Sequence, residues 1–88
     1  MKPFYTAYVL LDCPFCKKAI KLLQDKKVPF LTVIMDMNPE FVDRIKEDMK
    51  HPTVPIVVQQ LENSTIRIIG GADDLEKYLN SQEQNDPV

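Results

Sequence analysis

The first apolar run, Phe4-Tyr5-Thr6-Ala7-Tyr8-Val9-Leu10, is rich in aromatic and β-favouring residues. Such a run reads as a central strand with both faces covered. The period then changes. Cys16, Ala19, Ile20 and Leu23 fall at i, i+3, i+4 and i+7, so the stretch to Asp25 reads as a helix with one apolar face. Val28-Pro29 breaks the pattern, and residues 30–34 form a second strand. Strand, helix and strand in this order predict a right-handed parallel crossover. Asn38 is a suitable cap and Pro39 a suitable first residue for a second helix. It runs to about Lys50, with Phe41, Val42, Ile45 and Met49 inward.

His51-Pro52-Thr53-Val54-Pro55 is a rigid connection. Residues 56–60 read as strand three and residues 65–69 as strand four. Glu62-Asn63-Ser64 has turn composition, and so short a link makes the two strands an antiparallel hairpin. After Gly70-Gly71 a last helix spans residue 72 to about residue 80, with Leu75, Tyr78 and Leu79 on one face. Its Asp73 and Asp74 sit where the helix dipole favours acids. The order β-α-β-α-β-β-α defines an α/β fold with three helices and a four-stranded mixed sheet.

The chain has 88 residues, which is enough for one domain and one small core. The domain is expected over residues 1–80, with residues 81–88 a flexible tail. The net charge is −2 with both signs mixed, so neither a nucleic-acid nor a membrane surface is expected. The N-terminal residues lack the apolar segment of a signal peptide, and no stretch is long enough to span a bilayer. The expectation is a cytoplasmic monomer. In a reducing compartment two cysteines point to catalysis or metal binding rather than a permanent cross-link.

Those two cysteines, Cys13 and Cys16, lie between the first strand and the first helix. Three residues apart, they share one side of the helix's first turn. Free N–H groups and the dipole favour negative charge there, which lowers a thiol's pKa and raises its thiolate fraction. Pro14 fits the first helical position, where its missing N–H costs nothing. Cys13 reads as the exposed nucleophile and Cys16, more buried, as the resolving thiol. The rival readings are an ordinary disulfide, two idle thiols, or a zinc site. One cysteine pair and the single His51 fall short of the usual four zinc ligands, so no metal is expected. Lys17, Lys18, Lys21 and Lys26 read as a solvated helix face, with Lys17 or Lys18 alternatively steadying the thiolate or an acidic partner.

Cys13-Pro14-Phe15-Cys16, followed by Thr53-Val54-Pro55 and by Gly70-Gly71-Ala72-Asp73-Asp74-Leu75, resembles the glutaredoxin family of dithiol type. Each motif alone is weak. The three in order, over roughly residues 4 to 80, are specific. The resemblance implies a thioredoxin-like fold with sheet order two, one, three, four. Strands three and four would run antiparallel to the first two. Helices one and three would share one face, with helix two on the other. It also implies a cis proline at Pro55 facing the cysteines. The Val54 backbone, with Thr53 and Pro55 beside it, would hold the cysteine part of glutathione. Phe15 would flank the tripeptide. Gly71, Ala72, Asp73 and Asp74 would take the γ-glutamyl end, amides on its carboxylate and an aspartate on its amino group. The plainer readings are an apolar neighbour at Phe15, a simple turn at Thr53-Val54-Pro55, and a capped helix at Gly71.

Two positions depart from the family pattern. Leu10 stands where many members carry Lys or Arg, and Pro52 where a polar or basic residue is common. Arg44, Lys50 or His51 are the candidates for the missing charge, although His51 reads first as a surface residue. Pro14 resembles members without an iron–sulfur cluster, so none is expected. No cofactor is expected to be permanently bound; glutathione would serve as co-substrate. The activity implied is glutathione-dependent thiol–disulfide exchange on disulfide-containing or glutathionylated proteins, ribonucleotide reductase among the candidates. The alternatives are a thioredoxin-like electron donor reduced by a flavoprotein reductase, and a non-enzymatic binding module that keeps the fold.

Overall fold

A computed structural model describes residues 4–61 and 65–84. The elements follow the expected order: β1 (Phe4–Val9), α1 (Pro14–Asp25), β2 (Phe30–Ile34), α2 (Pro39–Asp48), β3 (Ile56–Gln60), β4 (Ile66–Gly70) and α3 (Ala72–Gln84). The sheet order is β2-β1-β3-β4. β1 is central and pairs in parallel with β2, from Tyr5 opposite Phe30 to Val9 opposite Ile34. β3 runs antiparallel to β1, and β4 antiparallel to β3. β4 therefore runs in the same direction as β1 and β2. This corrects the expectation that both later strands oppose the first two, because a hairpin reverses direction once more. A register shift between Val57 and Val58 interrupts the β3–β4 ladder. The expected turn at Glu62-Asn63-Ser64 lies outside the described residues.

Two cores form on the two sheet faces. On one, Tyr5, Ala7 and Val9 of β1 meet Cys16, Ala19 and Leu23 of α1, together with Val57, Ala72, Leu75 and Leu79. α1 and α3 thus share a face. On the other, Ile45 of α2 meets Met35 and Ile56, with Tyr8, Phe41, Val42 and Met49 packed around them. β1 is covered on both sides, as its unbroken apolar run requires.

Local chemistry sets the element boundaries. Asn38 Oδ1 accepts from Phe41 N at 3.1 Å, capping α2 ahead of Pro39. α1 and α2 end alike. Lys27 donates to the Gln24 carbonyl and Val28 to that of Leu23; Lys50 donates to Glu47 and His51 to Lys46. Lys27 and Lys50 adopt φ of 56° and 52°, the left-handed residue of a Schellman end that glycine usually supplies. α2 accordingly stops at Asp48, short of the expected Lys50. α3 continues to Gln84, so four residues assigned to the tail are helical, and the rest of that tail lies outside the described residues. No helix among the described residues is long and apolar enough to cross a membrane.

Gln59 is a buried polar residue in the middle of the sheet. Its Nε2 donates to Tyr5 Oη at 3.3 Å and its Oε1 accepts from Tyr78 Oη at 2.9 Å. Arg67 then donates to Tyr78 Oη and lies over the same ring. Every member of the chain has a partner, which removes the cost of burying the amide. Burial pushes the Tyr5 hydroxyl above its ordinary range, aided by Tyr78 and opposed by the bond to Gln59.

Candidate active site

The loop out of β1 delivers Cys13 to the start of α1. Leu11 N donates to Asp36 Oδ1 at 2.8 Å, which ties this loop to the one after β2. Cys13 is the N-cap residue in extended conformation, and Pro14 opens the helix. The Cys13 carbonyl accepts from Lys17 N at 3.0 Å, and its Sγ accepts from Cys16 N at 3.2 Å. A sulfur that receives a first-turn amide is placed to carry negative charge. Cys13 and Cys16 are joined as a disulfide with Cα atoms 5.2 Å apart. Cys16 is fully buried, as the resolving role requires, while Cys13 is half-buried rather than openly exposed. The reason is packing: Cys13 lies against the core cluster that holds Cys16.

A groove of about 400 Å³ opens beside the pair, and three separate chain segments build it. Phe15, 61% exposed, contributes a ring from α1. Thr53, Val54 and Pro55 form the second wall. Gly71, Ala72, Asp73 and Asp74 close the third side at the start of α3. The eight residues that the resemblance assigned to glutathione all line this groove; Cys13 and Cys16 are not among its lining residues. The Val54–Pro55 bond is cis, which composition and spacing did not reveal and the family resemblance did. Val54 precedes β3, and among the described residues its N–H and C=O have no hydrogen-bond partner. An extended peptide could pair there as an added strand.

The start of α3 is arranged by its own acids. Asp74 Oδ2 accepts from Gly71 N at 3.2 Å, the reciprocal half of a capping box. Gly70 has a φ of +121°, and a Cβ placed there would strike the Asp74 carboxylate. Only glycine fits both the conformation and the space. The Ala72 and Asp73 amides belong to the first turn and have no carbonyl within the helix to bond. Both residues line the groove.

Asp73 is held from across the structure. Lys18 Nζ lies 3.1 Å from its Oδ1 and 3.5 Å from Glu76 Oε1. The bond to Asp73, with the charge of Glu76, raises the Lys18 pKa above its ordinary value. Lys18 thus links α1 to α3, its acidic partners lying within the chain itself. The segments are 55 residues apart, so no local pattern signals the pair. Leu10 takes no electrostatic role. It is half-buried and packs against the α2-side core. His51, read from the sequence first as a surface residue, lines the groove; Arg44 and Lys50 do not.

The glutaredoxin family model matches residues 5–61. The chain is 39% identical over 67 residues to the hybrid peroxiredoxin hyPrx5 of Haemophilus influenzae. The match takes in 76% of this chain and 25% of that relative, so the chain spans about a quarter of the relative's length. Among solved structures, the dithiolic glutaredoxin 2-C-Grx1 of Trypanosoma brucei brucei aligns with a TM-score of 0.68 at 25% identity, covering 92% of this chain and 81% of the other. A buckwheat glutaredoxin–glutathione complex aligns with a TM-score of 0.67 at 20% identity, over 88% and 69% of the two chains. At that identity the buckwheat match speaks for the fold alone. The fold, the paired cysteines at a helix cap and the family match agree: this chain belongs to the glutaredoxin family, whose members are thiol–disulfide oxidoreductases.

Proposed function

We propose that this protein is a glutathione-dependent thiol–disulfide oxidoreductase. The observation that carries the reading is the groove beside Cys13, with the open backbone of Val54 along one wall and the start of α3 at its end. A tripeptide thiol with a terminal α-carboxylate has the length and the groups to use both. In the reaction the Cys13 thiolate attacks one sulfur of a substrate disulfide. A new S–S bond forms, and the other substrate sulfur leaves as a thiolate that takes a proton. The Cys16 thiolate then attacks the Cys13 sulfur and releases the second substrate thiol. The protein is left with the Cys13–Cys16 disulfide. Two glutathione molecules return it to the dithiol and leave as glutathione disulfide. With a glutathionylated protein, Cys13 alone suffices: it takes the glutathionyl group and passes it to a second glutathione. Val54 orients the incoming thiol, Phe15 covers it, and the start of α3 fixes its γ-glutamyl end.

Glutathione is a co-substrate in this scheme, and no cofactor is permanently bound. Substrates are disulfide-containing or glutathionylated proteins of a reducing compartment such as the cytoplasm, with ribonucleotide reductase one candidate. The relative described as a hybrid peroxiredoxin makes an oxidised peroxiredoxin another. One feature favours a second reading, a thioredoxin-like donor reduced by a flavoprotein reductase. Leu10, where many family members carry a basic residue, is committed to core packing.

Reduction of the Cys13–Cys16 disulfide by NADPH with glutathione and glutathione reductase, set against NADPH with thioredoxin reductase, separates the two. The glutathione system should reduce it in the first minutes and the other should lag far behind. The reverse order contradicts the proposal.

A further inference from the structure

We infer that His51 reads the γ-glutamyl carboxylate of the reductant, an assignment that rests on the glutathione-dependent function just proposed. The Schellman end of α2 sets the position of this residue: Lys50 turns at φ 52° and His51 N donates to the Lys46 carbonyl at 2.9 Å. The ring is then fixed by its own bond, with Nδ1 lying 2.8 Å from the Thr53 carbonyl oxygen. A carbonyl can only accept, so Nδ1 carries a proton whether the ring is neutral or charged. Nε2 is the end left to a ligand, since no partner holds it among the described residues. Cε1 and Nε2 stand 3.7 and 4.0 Å from where a Cβ on Gly71 would be. The ring edge therefore lies beside the turn into α3, where the Ala72 and Asp73 amides begin the helix.

Charge bookkeeping in the groove points the same way. Among the described residues that line it, His51 is the one basic side chain. Its two acids are engaged, Asp73 with Lys18 and Asp74 with the Gly71 amide. Arg44 sits instead among Glu40, Asp43, Glu47 and Asp48 on the outer side of α2. A carboxylate arriving at α3 meets first-turn amides on one side and the imidazole edge on the other. Only the form with a proton on both ring nitrogens can donate Nε2–H to that carboxylate while Nδ1–H stays on Thr53.

Three thiols test this against the oxidised protein: glutathione, γ-glutamylcysteine and cysteinylglycine, the last lacking the γ-glutamyl group. His51→Asn is the informative variant, because the asparagine amide can replace Nδ1–H on the Thr53 carbonyl while the Nε2 end is gone. Its second-order rate of reduction should fall about ten- to hundredfold with glutathione and with γ-glutamylcysteine, as expected for loss of one hydrogen bond to a charged group. With cysteinylglycine it should match the wild type. His51→Lys should recover part of the loss with the two γ-glutamyl thiols only. An equal fall with all three thiols would make His51 merely structural, and no fall with any would remove it from the site; either result overturns the assignment. A wild type that shows no preference for γ-glutamyl thiols sinks the glutathione reading and this inference with it. A wild type that prefers them while His51→Asn keeps the preference sinks this inference alone.

Discussion

Cys13→Ser should reduce disulfide reduction and deglutathionylation alike to the uncatalysed background, while Cys16→Ser should lose the first and keep the second. The asymmetry follows from position. Cys13 caps α1, is partly exposed and has its sulfur on the Cys16 amide, so of the two thiols it is the one that can form the bond to the substrate. Cys16 is fully buried one turn into the helix and reaches no substrate sulfur; it can only attack Cys13. Reduction of a protein disulfide needs that second attack to expel the product. Transfer of a glutathionyl group does not, because a free glutathione can resolve the mixed disulfide from solvent. Steady-state assays on a small disulfide and on a glutathionylated peptide, with circular dichroism to show that both variants fold, check the split. A Cys16→Ser protein that stays folded yet transfers no glutathionyl group contradicts the roles given to the two thiols.

Leu75→Ala should be the most damaging of the conservative core changes, costing about 2–5 kcal/mol. Leu75 is fully buried where α3 begins, within the core that also holds Cys16, Ala19 and Leu23 of α1. It lies one residue after Asp74, the carboxylate that caps the Gly71 amide. A cavity there cannot be refilled cheaply, since the sheet and α1 bound it on two sides. Small domains have about 5–15 kcal/mol in total, so the change takes a large share. At about 4–8 °C per kcal/mol for a domain of this size, the melting temperature should drop by about 8 °C or more. Thermal denaturation of the reduced protein measures it. Leu31→Ala serves as the control: Leu31 is 60% exposed on the edge strand β2 and should shift the midpoint little. Equal shifts would mean that α3 is not anchored through Leu75.

The elements of this fold were legible because each carries its own local signal. The unbroken run of β1, the spacing of Cys16, Ala19, Ile20 and Leu23, and the Asn38-Pro39 pair each correspond to an element or boundary in the structure. The helix ends were less legible. Lys27 and Lys50 take a backbone position that glycine usually marks, and nothing in a lysine side chain announces it. The direction of β4 follows from the hairpin itself, since β4 runs antiparallel to β3 and β3 antiparallel to β1. Nor could local pattern show that Gln59 would be buried, because its partners Tyr5 and Tyr78 come from the first strand and the last helix. The site divides the same way. The cysteine pair declares its chemistry through the helix start it occupies. The convergence of Phe15, Val54 and Gly71 on one groove rested on family resemblance, since nothing local links segments so far apart in the chain. His51 reads from the sequence first as a surface residue and otherwise as one of three candidates for a missing charge; in the structure it lines the groove.

The direct test of the whole scheme is the ionisation of one sulfur. In the reduced Cys16→Ser protein, the rate at which iodoacetamide alkylates Cys13 should be followed from acid to alkaline pH. Facing a first-turn amide at the positive end of α1, Cys13 should react at half its maximal rate well below about 8.5, where an ordinary cysteine titrates. A midpoint at the ordinary value, or a thiol that the reagent cannot reach until the protein unfolds, would contradict the account.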